Sequence, residues 1–291
     1  MARTQNNKEK QLGNCRYCNT KAGLFKDVHE ACSRDADVAE AELQTLMTMA
    51  VESGVEKAEF DKRFNGLMER GRLSVQQAKS LALKFADDVT HGLAMGSPVS
   101  NEEAERIGEI FKSIDAECFN DPQKLITWEG YVALIHSNVL YQVMHKEVPY
   151  YNAEAFRDFR LEDDEHPILR RYATLAEYKT ISTGQTYQSV SVPIGGGIYY
   201  RLGASQPRST QTGLVHVADG LLLITTKALY FSSPITTFQI SYYSIIRIES
   251  FVDGFGIYEN YGTGKVFIPA LLGTKDEGWY FYNLVSALML W

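Results

Sequence analysis

The residues from Gly213 to Trp291 restrict the fold more than any other part of this 291-residue chain. They form short β-branched or aromatic runs: Leu214 to Val217, Leu221 to Thr225, Leu229 to Ser232, Thr236 to Ser241, Ile245 to Phe251, Gly256 to Tyr258 and Val266 to Ile268. Each ends in Gly, Asp, Asn, Ser or Pro, the punctuation of strands joined by tight turns. The period then changes. After Gly278 no glycine or proline intervenes, and Trp279, Tyr282, Val285, Leu288 and Met289 recur at three- and four-residue spacing. Strands followed by one amphipathic helix predict a small antiparallel barrel or sandwich whose open end the helix plugs.

Four stretches in this region carry a family resemblance. The run from Leu223 to Phe231, with Thr225, Lys227 and Leu229 inside it, resembles a strand pair of bacterial pleckstrin-homology-like (PH-like) and GRAM-like domains. Phe238-Gln239-Ile240 and Ile245 to Glu249 resemble the strands that follow, and Asp253-Gly254-Phe255-Gly256-Ile257 resembles a later turn. The resemblance covers roughly the last hundred residues, from near Tyr187. It implies a domain that binds phosphoinositides, peptides or partner subunits without catalysing a reaction. Fold likeness does not choose among these.

At the other end, Cys15, Cys18, His29 and Cys32 place four zinc-type ligands within eighteen residues. Zn²⁺ takes four nitrogen or sulfur donors in a tetrahedron, and a Cys pair spaced three apart presents two thiolates to one point. His29 and Cys32, also three apart, share a face if they sit on the first turn of a helix. Knuckle, short hairpin and helix start resemble a treble-clef zinc finger. So short a segment has no other means of building a core, and with all four positions filled by protein the zinc is structural. Residues 1–34 carry Arg3, Lys8, Lys10, Arg16, Lys21, Lys26 and Arg34 against Glu9, Asp27 and Glu30. That basic finger is one route to nucleic acid, with Tyr17 and Phe25 available for stacking. The net charge of −7 for the whole chain argues against nucleic acid as its main partner.

Residues 35–148 read as a bundle of about five helices. Ser74 with Gln77 and Ser100 with Glu103 have capping-box spacing ahead of apolar runs. On the last helix Leu125, Trp128, Val132, Ile135, Val139 and Val143 fall on one side. Residues 149–185 read as a charged connector, with Glu162, Asp163, Asp164, Glu165 and His166 a solvated acidic turn rather than a metal site, and Ile168 to Arg171 a short helix. The expected class is therefore α+β: a CCHC zinc finger at 1–34, a helical bundle at 35–148, a connector at 149–185 and a PH-like barrel or sandwich capped by an α-helix at 186–291.

No stretch has the eighteen or so apolar residues of a membrane span. Met1 to Gln11 has no apolar core to serve as a secretory signal, and four cysteines do not make a disulfide scaffold. A cytoplasmic protein follows. Catalytic motifs are wanting: Gly262-Thr263-Gly264-Lys265 has Glu259 where a phosphate loop needs its leading glycine, and Gly195-Gly196-Gly197 precedes a strand-like run, not a helix. The chain is therefore expected not to be an enzyme. From residue 212 onward Lys227, Arg247, Lys265 and Lys275 face Asp219, Glu249, Asp253, Glu259, Asp276 and Glu277, a net of −2, so strong binding to anionic membranes is not expected.

Seventeen tyrosines point instead to protein contacts. Alternation along a strand turns one member of Tyr199-Tyr200 and of Tyr242-Tyr243 outward. Tyr200, Tyr243 and Trp291 are the expected partner-binding residues. The expected function is a non-enzymatic interaction or adaptor protein, whose PH-like domain docks a protein partner or self-associates. The alternative is a nucleic-acid-binding regulator acting through the basic finger.

Overall fold

A computed structural model describes residues 30–71, 73–116, 122–125, 127–149, 156, 159–182, 189–193, 199–203, 210–260, 264–269 and 277–291. The chain divides into two compact units, Met1–Glu147 with Leu272–Thr274, and Val148–Leu271 with Lys275–Trp291. Cys15, Cys18 and His29 lie outside the described residues, as does the Gly195–Gly197 turn. Cys32 lies on the first turn of α1, its side chain likewise outside them.

The first unit is helical: α1 Glu30–Ser53, α2 Lys57–Gly71, α3 Val75–Gly96, α4 Asn101–Ile114, the single turn α5 Pro122–Leu125, and α6 Glu129–Met144. Both expected capping boxes are made. Ser74 Oγ accepts from Gln77 N, Ser100 Oγ accepts from Glu103 N, and each partner side chain accepts from the cap backbone in return. Each cap is worth about 1 kcal/mol. Leu43, Leu46, Met47, Val51, Phe60 and Phe64 from α1 and α2 share one core with Phe85, Ile107, Phe111 and Ile114.

α6 buries a face different from the one its apolar spacing suggests. Val132 and Val143 are buried as expected, but Ile135 is 48% exposed and the small residues Gly130, Ala133 and Ser137 are buried instead. They pack against α3, which presents Ala78, Ala82, Ala86, Thr90 and Ala94 at four-residue spacing. Small side chains on both helices allow close approach, so polar and short residues, not the bulkiest ones, mark the contact. The Asp87 carboxylate from α3 accepts from Tyr131 N at 3.0 Å, supplying the N-terminal cap that Trp128 does not. Burial of that carboxyl raises its pKa against the lowering effect of the same backbone bonds.

The second unit holds a seven-stranded antiparallel sheet built from β1 Pro167–Ser182, β4 Thr210–Thr225, β5 Ala228–Ser232, β6 Thr237–Ser241, β7 Ile245–Ser250, β8 Phe255–Glu259 and β9 Lys265–Pro269. Its order is β6-β5-β4-β1-β9-β8-β7, with β2 Ser189–Pro193 and β3 Tyr199–Gly203 forming a separate hairpin. The sheet is curled. β5 and β9 are three strands apart, about 14 Å if flat, yet Phe231 and Phe267 have ring centroids 6.0 Å apart. Phe238 on β6 comes within 6.3 Å of the same ring. The result is one curled sheet rather than a sandwich, and α7 Glu277–Leu288 packs against β7 and β8. Phe281 of α7 stacks on Phe255 at 5.4 Å. Gly278 has no room for a side chain, because a Cβ there would collide with the Phe251 carbonyl. Four strands, β1 and β4 to β6, then β7 to β9 and one packed helix, with β1 at the seam beside β9, fit the PH-like expectation.

Three details differ from the sequence reading. The segment 149–185 falls in the second unit and supplies β1, its central strand, where Ile168 to Arg171 had suggested a helix. The runs at 214–217 and 221–225 are one strand: Asp219 accepts from the Thr174 hydroxyl, and Gly220 is pressed so closely by Phe231 and the Ser232 carbonyl that no side chain would fit. The buried stripe of α7 is Tyr280, Phe281, Leu284, Val285 and Leu288, leaving Trp279 and Tyr282 half-buried and Met289 exposed. A helix apolar on nearly all sides does not reveal by spacing which face turns inward.

Candidate functional site

At one end of the curled sheet the acidic turn ahead of β1 folds onto the β4–β5 turn. Glu165 N donates to Glu162 O at 3.0 Å, which closes the turn. His166 and Thr226 then pair across: His166 N donates to Thr226 Oγ1 at 3.0 Å and Thr226 N to His166 O at 2.9 Å. Glu165 is thereby carried inside, to 5% exposure. A buried carboxylate needs donors. It takes the Thr225 hydroxyl on Oε1 at 2.5 Å, the Tyr230 hydroxyl on Oε2 at 2.8 Å and Glu162 N on Oε2 at 3.3 Å. Tyr242 completes the layer by donating to Thr225 O at 2.7 Å.

Above this layer Lys227 Nζ donates to Glu162 Oε2 at 2.7 Å and to Asp164 Oδ1. The hydrogen bond to Asp164 and then that to Glu162 raise the lysine's pKa, and the same contact lowers that of Asp164. Burial, and after it the Glu165 carboxylate, push the Tyr230 and Tyr242 hydroxyls up. At neutral pH the lysine is a cation and both phenols are protonated donors.

The layer floors a cleft of about 760 Å³. Glu162 and Asp164 line it together with the turn that ends α7, Leu288 to Trp291, which is closed by Met289 N to Val285 O at 3.0 Å and Leu290 N to Ala287 O at 3.1 Å. Tyr243, 98% exposed, forms the rim, and Leu290 is 80% exposed. A smaller hollow of about 410 Å³, with Glu259 and Asn260, lies on the other side of Tyr243.

The structure thus brings Tyr243 and Trp291 to one cleft. Tyr200 lies in β3, in the separate hairpin, and its side chain is outside the described residues. Tyr242 and Tyr243 do face opposite ways, though in a 3-10 turn, Tyr242–Ser244, and not in a strand. Glu165 and Lys227 were not anticipated as site residues. A run of acidic residues reads as solvated turn, and the only signal was Pro167 opening a strand directly after it. Among the described residues no group of three or more Cys, His, Asp or Glu side chains is placed to hold a metal ion, and no helix is long and apolar enough to cross a membrane. Cys15, Cys18 and His29 lie outside those residues.

The class this defines is a mixed protein, a helical unit with a PH-like curled antiparallel sheet. No family model and no curated protein matches the chain. A solved structure described as an N-terminally truncated linker-DH/PH domains of p115-RhoGEF is similar at 7% identity and a TM-score of 0.25, covering 90% of this chain and 72% of that one. The PH-like character of the sheet lies in its strand order, its curl and the helix packed on it.

Proposed function

We propose that the chain is a non-enzymatic, cytoplasmic interaction protein whose PH-like domain docks a protein partner through the cleft beside Tyr243. The observation that carries this reading is a cleft lined by both carboxylates and exposed apolar groups, Tyr243 and Leu290, beside a hydrogen-bonded buried layer. Exposed aromatic and aliphatic groups beside a concavity are the usual anchor of an interface. The test compares the intact chain with a Tyr243→Ser/Leu290→Ser variant as baits, and follows both by light scattering. A partner, or a second copy, held by the first and lost by the second is expected. Identical capture and identical mass for the two would end the proposal.

The same reading places one structural Zn²⁺ on Cys15, Cys18, His29 and Cys32, and gives the finger no catalytic role. Metal analysis of protein purified without chelator is expected to give about one zinc per chain. Cys18→Ser is expected to lose it while leaving the sheet intact. A zinc content below about a tenth of that value refutes the assignment.

A further inference from the structure

The cleft is lined by groups of two kinds, acidic and apolar, and together they narrow what fits. Among the described residues lining it are three carboxylates, Glu162, Asp164 and Glu165, against one lysine. Lys227 is clasped by both Glu162 and Asp164, two surface carboxylates to one lysine. Beneath them, the donors that Glu165 receives from Thr225, Tyr230 and Glu162 N are all neutral. Carboxylates alone would be an ordinary solvated turn. Here they share one hollow with Met289, Leu290, Trp291 and the exposed Tyr243.

An anionic ligand would meet repulsion from Glu162 and Asp164. A purely apolar ligand would desolvate the carboxylates without replacing their water. A side chain with a cationic head on an aliphatic stem satisfies both kinds of group, because the stem lies on apolar surface while the head reaches the acids. We infer that the cleft binds a Lys- or Arg-bearing peptide segment, the cation seated at Glu162 and Asp164 and the neighbouring apolar side chain on Leu290 and Tyr243. This rests on the docking function proposed above and names its partner chemistry. Lys227 becomes a built-in competitor that a bound cation displaces.

The test measures fluorescence anisotropy of labelled Gly-Leu-Arg-Lys-Leu-Gly with the full chain, beside Gln-Gln and Glu-Glu versions of the central pair. The cationic peptide is expected to bind most tightly, and more weakly as salt rises toward about 0.15 M. Glu162→Gln/Asp164→Asn is expected to weaken it about fivefold, the range of a partly exposed ion pair. Lys227→Gln is expected to tighten it by a similar factor, about fivefold. Opposite signs at contacting residues separate recognition from a collapsed turn, which would weaken binding in both variants. Weakening by Lys227→Gln, or equal binding of the cationic and neutral peptides, overturns the inference. In the latter case, loss of both peptides in Tyr243→Ser/Leu290→Ser leaves the docking function standing. No binding by any peptide also overturns the inference, and the capture experiment then decides docking by itself.

Discussion

Phe281→Ala is expected to lower the stability of the sheet-bearing unit by about 3–5 kcal/mol, as for other fully buried aromatics. The ring is wholly inaccessible. It stacks on Phe255, which stacks on Phe267 at 5.3 Å, so one deletion opens a cavity at the end of an aromatic column. The loss reaches beyond the cavity. α7 has only 12 residues, below the length at which an isolated helix holds in water, so its helicity depends on this burial. Hydrogen exchange across residues 277–291 is therefore expected to accelerate together with that of β8, while α1 to α4 keep their protection. A stability change under about 1 kcal/mol, or unchanged exchange in α7, would show that the helix does not depend on that column.

Glu165→Ala is expected to cost about 2–3 kcal/mol, and Glu165→Gln distinctly less. Alanine strips an acceptor from two hydroxyls at once, and the Thr225 hydroxyl is itself buried. Glutamine keeps one carbonyl for Thr225. Loss of the carboxylate also unfastens Glu162, whose backbone N–H it holds, and with it one arm of the Lys227 clasp. The lysine's raised pKa should then fall back toward its ordinary value. Urea unfolding reads the first effect, and NMR titration of the Lys227 side chain reads the second. An alanine variant as stable as the parent would mean that the layer under the cleft is not held by this residue.

How much of this was legible in the sequence depends on how local each feature is. The capping boxes at Ser74 and Ser100 were readable because both partners lie three residues apart. Strand character from Ala228 to Ile268 was readable because turn residues bracket each run. β1 was not, since its two neighbours, β4 and β9, lie far along the chain, and Arg170-Arg171 masks its alternation. The faces of α6 and α7 were misjudged for a related reason: the partner element, not the helix's own spacing, decides which side is buried. In the cleft, Tyr243 and Trp291 were legible as surplus aromatic surface. Glu165 was not, because its burial depends on Thr225 and Tyr230, more than fifty residues away. Local chemistry announces caps and turns; a buried carboxylate announces nothing until its donors arrive.

The central place of β1 sets the order in which this unit can assemble. Ala173 pairs with Gly220 on one side and Pro269 on the other, so its second edge stays open until nearly a hundred further residues have been made. Contacts of such separation slow folding and lengthen the life of a half-paired sheet. Emerging from the ribosome, β1 is an apolar strand, with Ile168, Leu169, Leu175 and Ala176, awaiting its last neighbour. Arg170, Arg171, Glu177 and Lys179 interrupt that surface, and charges so placed discourage a waiting edge from pairing with another nascent chain. The charges that hid the strand from its sequence pattern are of the kind that keeps an unpaired edge from aggregating.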